Sequence, residues 1–97
     1  KRVSVCSLDR FYFVYNQQEL EINEKCEIVS LVGTLSAGGH LHASLSDRNG
    51  KVVGGHVLGN MIVFTTAEVV IGDCEAIYFT REMDPKTGFK ELIVNNL

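Results

Sequence analysis

A small domain built mostly of short β-strands is the fold this sequence predicts, and three observations carry the expectation. Apolar residues recur with a two-residue rhythm in short segments rich in Val, Ile, Leu, Phe and Tyr, the period of a strand with one buried face. Nine glycines and one proline break these segments apart, and no stretch keeps a helical rhythm long enough for a convincing long helix. Asp47-Arg48-Asn49-Gly50 has the chemistry of a hairpin loop, which joins antiparallel neighbours. With 97 residues, 45% of them hydrophobic, the chain can fill one modest core, so a single domain over residues 1–97 is expected.

In chain order, strands are expected at residues 3–8, 11–15, 26–36, 41–45, 61–64, 68–71 and 76–80. Residues 16–25 are polar, with only Leu20 and Ile22 as apolar anchors, which suits a surface connection or an edge strand. Asp84-Pro85-Lys86-Thr87-Gly88 reads as a turn into a last strand at residues 92–94, because Pro presets φ and Gly accepts a left-handed backbone. No repeat, low-complexity tract or linker interrupts this order.

Charge and cysteine usage narrow the function classes. Nine Lys and Arg are scattered against twelve Asp and Glu, for a formal charge of −3, so no basic run can neutralise a row of phosphates and direct nucleic-acid binding is not expected. Cys6, Cys26 and Cys74 are odd in number and lack CxxC spacing, which points to free thiols in a reducing compartment. The apolar runs fall far short of the ~20 residues that a membrane span needs, and the first residues lack the apolar stretch of a signal peptide. An intracellular protein is expected, cytoplasmic rather than nuclear, with no membrane association.

The chemistry gathers on the three histidines. Asp47 suits the first position of a type I turn, and Gly50 the left-handed position of a three-residue loop closed by a bulge, so residue 47 pairs with residue 51. Continued without further bulges, the ladder sets His42 opposite His56, their Cβ atoms about 4.5–5.5 Å apart. His40 shares the face of His42, while Leu41, Ala43 and Leu45 point to the core. A two-residue Asn-Gly turn would instead send His56 to the other face.

Three neutral imidazoles suit Zn²⁺, Fe²⁺ or a similar borderline divalent ion, with zinc preferred, and leave at least one coordination position open, as in catalytic rather than structural sites. The competing reading is three hydrogen-bonded histidines at a polar surface. His-x-His on a strand is also found in cupins, but the first acid after His42 is Asp47, in the turn, so the cupin pattern fits poorly. Gly54-Gly55 before His56 either admits a close backbone or ligand, or marks a β-bulge at a sheet corner. Glu68, the one acid within the apolar segment 65–71, is a candidate catalytic base, a partner for a histidine or an intersubunit acceptor, if it is not simply exposed at an edge. No Ser-His-Asp order, Cys-His pairing or phosphate-cradling glycine loop is present.

The blocks 27–36, 39–47, 50–57 and 66–71, with Gly39-His40-Leu41-His42-Ala43-Ser44-Leu45 and Gly54-Gly55-His56-Val57 at their centre, closely resemble the PPC domain of plants and prokaryotes. They occur in that family's order and spacing, and Gly88-Phe89-Lys90-Glu91-Leu92 is similar to its ending, so the resemblance covers nearly the whole chain. It implies an α/β (α+β) domain with a mainly antiparallel sheet, assembling as a homotrimer, with the GxHxHxSL segment at residues 38–45 near the subunit contacts. It also implies a metal site at the positions of His40, His42 and His56, but no settled reaction. In plants the domain accompanies AT-hooks. This sequence has no Arg-Gly-Arg-Pro hook, so direct DNA binding does not carry over. The family has a strand and a helix before the segment matching residues 3–8, and the domain expected here is short of both. Two functions follow: a homotrimerising interaction module with protein partners and a three-histidine metal site, or a small metal-dependent hydrolase or lyase using metal-bound water.

Overall fold

A computed structural model describes residues 7–15, 18–36 and 38–97. Among these residues seven strands follow in order: β1 Ser7–Tyr15, β2 Gln18–Ile22, β3 Cys26–Thr34, β4 His40–Ser46, β5 Val52–Val63, β6 Ile77–Asp84 and β7 Phe89–Asn96. Every pairing between them is antiparallel, and no helix occurs among the described residues. The expected strand at 3–8 falls largely outside the described residues; Ser7 and Leu8 join residues 11–15 in one continuous β1. Residues 18–22 take the edge-strand alternative.

Contacts divide the chain into two compact units, one running to Thr34 and including His40–Val69, the other comprising Leu35–Gly39 and Val70–Leu97. In the first, the sheet order is β2-β1-β3-β4-β5, and β1 also pairs with β5, so β1, β3, β4 and β5 close into a ring. Closure removes the free edges that an open sheet would present, and β2 covers part of β1 beyond its short pairing with β3. Ladder shifts between β1 and β5 near Arg10, Tyr12 and Phe13 supply the bends that a closing sheet needs.

The core of this unit follows from strand alternation. Leu45 is fully buried, Ala43 and Cys26 nearly so, and Ile22, Ile28, Leu31, Val53, Val57 and Met61 pack around them. Sequestering a side chain the size of Leu45 contributes roughly 1.5–3 kcal/mol. On β3 simple alternation fails, because Ile28 pairs with Leu45 and Ser30 with Ser44, leaving Val29 as an extra, exposed residue. That bulge turns both Ile28 and Leu31 inward. Burial also pushes the Cys26 thiol above its ordinary value of 9.0, with the nearby charges of Glu24 and Asp47 adding to the effect.

Glycine lets β4 lie tightly between its neighbours. A Cβ on Gly54 would run into the Ala43 carbonyl oxygen and sit 2.8 Å from Ser44 Cα, and one on Gly33 would do the same to the His40 carbonyl oxygen and Leu41 Cα. The β4–β5 ladder runs without a shift from His42↔His56 to Ser46↔Val52, so Gly54 admits a neighbouring backbone and marks no bulge in this pairing.

Residues 68–71, expected as a strand, are irregular and exposed, with Val70 100% accessible. β-Branched composition favours a strand only where a neighbour offers both a ladder and a packing face. The second unit contains the β6–β7 hairpin, paired from Ile77↔Asn96 to Asp84↔Phe89. Its loop is built on Asp84, whose carboxylate accepts from Lys86 N–H at 2.8 Å and whose carbonyl accepts from Gly88 N–H at 2.8 Å. The expected turn at 84–88 is therefore present, and the last strand runs three residues earlier and two later than 92–94.

Candidate metal centre

The histidine cluster is set by the loop between β4 and β5. Asp47 Oδ1 accepts hydrogen bonds from Asn49 N–H and Lys51 N–H, both 2.9 Å, and its backbone N–H donates to the Lys51 carbonyl at 2.9 Å. Gly50 N–H donates to the Asp47 carbonyl at 3.0 Å, and Gly50 takes φ 81°, which glycine adopts without steric cost. The three-residue loop predicted from the sequence thus forms and fixes the register, with His42 opposite His56.

His40 and His42 are exposed and His56 is half-buried, all three on the face opposite Ala43 and Leu45. Ring centroids lie 5.1 Å apart for His40–His42, 4.8 Å for His40–His56 and 5.4 Å for His42–His56. One ring nitrogen from each falls within 4.8 Å of the other two. Nε2 of His40 and Nε2 of His42 are 3.1 Å apart, so one ring donates its N–H to the lone pair of the other.

These donors fit a divalent ion. Tetrahedral zinc at 2.0–2.1 Å from each nitrogen sets its ligands about 3.3 Å apart. The His40–His42 separation of 3.1 Å is close to that spacing, and the nitrogen of His56 lies within 4.8 Å of both. Imidazole is a borderline donor suited to zinc, and three ligands leave one tetrahedral position free. Glu68 lies on the irregular, exposed segment after β5 and is not a member of the histidine group.

The same face carries two residues that the sequence did not single out. Ser30 Oγ and Ser44 Oγ are hydrogen-bonded at 2.6 Å one row from His42, next to the side-chain-free Gly54. Ser44 was legible as the next outward residue after His42. Ser30 was not, because the bulge at Val29 reverses the parity of β3.

A sequence model of the Plants and Prokaryotes Conserved (PCC) domain matches residues 2–75. The chain belongs to the PCC family. The PPC resemblance read from the sequence is this same family, and its expected fold of mainly antiparallel strands is the one observed. Among solved structures, a hypothetical protein of Salmonella enterica superposes with a TM-score of 0.90 and 35% identity, over 95% of this PCC chain and 69% of that one. A Bacteroides thetaiotaomicron protein described as a candidate DNA-binding protein shares the fold, with a TM-score of 0.64 at 18% identity over 93% of this chain and 68% of that one. Two curated Synechococcus proteins, each a bifunctional protein GlmU, are 38% and 40% identical over 77 and 72 residues. The PCC chain matches 78% and 73% of its own length to them but spans only 12% and 11% of theirs.

Proposed function

We propose that this chain is a PCC interaction module that assembles as a homotrimer and holds one divalent metal ion, zinc by donor chemistry, on His40, His42 and His56. The convergence of three imidazole nitrogens within 4.8 Å carries the metal reading. Bound there, the ion would act as a Lewis acid beside its free position. The chain's own part is to hold three rings in register through β4, β5 and the Asp47 loop. Exposed Val29, Val32, Leu35 and Val52 supply apolar surface of the kind that subunit contacts cover. The exposure of Val32 beside His42 also suits protein partners. A net charge of −3, with no Lys or Arg on β3, β4 or β5, argues against direct binding of nucleic acid. Cys26 and Cys74 are free thiols, consistent with a reducing, intracellular setting.

Elemental analysis of the purified protein, alongside His42→Ala and His56→Ala, tests the site. One zinc per chain in the wild type, and metal affinity lowered about 100-fold or more in each variant, is the expected result; removal of groups that merely orient ligands costs about 10- to 100-fold. A metal-free wild type whose stability and assembly are untouched by either substitution sinks the reading. Light scattering tests the trimer, and a monomer at micromolar concentration excludes it.

A further inference from the structure

We propose that the serine pair beside the histidines makes this face a receptor for a small monocarboxylate with a short apolar tail, a reading that rests on the metal site proposed above. Ser30 and Ser44 share one hydrogen bond of 2.6 Å between two hydroxyls. Each hydroxyl carries one proton, so the pair spends only one of two and presents the other, with spare lone pairs, to whatever lies above it. Ser44 is two residues from His42 on β4 and faces the same way, which separates the two side chains by about 6.5–7 Å along the strand. Directly across from Ser44 is Gly54, two residues before His56. The short serines form a low step beside three larger imidazoles, and Gly54 lets the β4 backbone that carries Ser44 and His42 lie close against β5.

Chemistry selects the ligand. A carboxylate can turn one oxygen toward the histidine-held charge and the other toward the serine hydroxyl, spanning a gap that a single oxygen does not. Charge then limits it to one negative group. β3, β4 and β5 contain no Lys or Arg, and Glu27 is their one acid, so the second charge of a phosphate or dicarboxylate has no cation on these strands to meet. Val32, directly opposite His42 and 70% exposed, offers an apolar wall for the tail.

The test uses the full chain loaded with Co²⁺, whose visible bands report its ligands. Propionate is expected to shift the bands saturably and to bind more tightly than acetate or inorganic phosphate. In the Ser30→Ala/Ser44→Ala variant its affinity falls roughly five- to tenfold, the loss of one hydrogen bond, while Ser44→Thr, which keeps the hydroxyl, restores wild-type binding. Equal affinity in wild type and the double alanine variant, with folding verified by circular dichroism, overturns the serine role. Tighter binding of phosphate overturns the ligand class. A cobalt-loaded protein that ignores propionate overturns the receptor but leaves the metal site standing, whereas failure to bind cobalt at all removes both.

Discussion

Three residues at the heart of the first unit tie stability to chemistry. Leu45 is fully buried on β4, on the face opposite His42 and paired with Ile28 and Val53, so Leu45→Ala leaves a cavity in the core behind the strand that carries His40 and His42. It is expected to cost 2–5 kcal/mol, read as a lower urea midpoint. Gly54→Ala should also destabilise, because its Cβ collides with backbone rather than with a movable side chain, and it should lower metal affinity by displacing His56. Wild-type stability with unchanged metal binding in that variant would show that β5 does not need its close approach. Cys26 makes a pH prediction. Its folded-state value lies above the ordinary 9.0, so the folded state keeps the proton where the unfolded chain releases it. Stability therefore falls as pH rises from about 9 through the folded value, and Cys26→Ala should flatten that part of the profile relative to wild type. Parallel slopes for the two proteins between pH 8 and 10.5 would contradict the assignment.

At the scale of elements, the Asp47 loop has the greatest consequence for its size, since a change of one residue in register would carry His56 to the core face. Asp47→Ala removes two side-chain acceptor bonds at a partly exposed site and is expected to cost about 1 kcal/mol, and Gly50→Ala, at φ 81°, about 1–2 kcal/mol. Denaturant melts of both variants check the values. This loop is also where the sequence was most legible, because turn chemistry is local and Asp47 and Gly50 each had a defined place in it. Leu45 and Ala43 as core residues followed from the same register. What lay beyond sequence reading depended on partners distant in the chain. β5 runs from Val52 to Val63 through Gly54, Gly55 and Gly59, glycines that weaken any strand signal and that the adjoining backbone requires at position 54. The bulge at Val29 exists because β3 must meet β4 on both sides of it, which nothing in Ile28-Val29-Ser30 itself announces. Val69-Val70-Ile71 looks like a strand by composition, yet composition does not supply a neighbour.

For the whole molecule, the balance between covered and uncovered apolar surface points to association. Cys26, Ala43 and Leu45 are the buried hydrophobics among the described residues, whereas Val32, Val70 and Ile71 each leave more than 60% of their surface accessible. Association that covers part of this exposed apolar surface links folding to concentration. The thermal midpoint of the wild type is accordingly expected to rise with protein concentration, as it does when subunits bind one another but not the unfolded chain. Val70→Asp separates this from ordinary packing. Val70 is 100% exposed, so an aspartate there disturbs nothing within the chain, whereas within a subunit contact it would place a charge against apolar surface. If the trimer covers residues 69–71, the variant sediments as a monomer, and its thermal midpoint drops to the low-concentration wild-type value and no longer varies with dilution. A variant that still forms trimers with an unchanged midpoint would move the subunit contact away from this segment, leaving Val32, opposite His42, and the exposed Val29 and Val52 as the next residues to substitute.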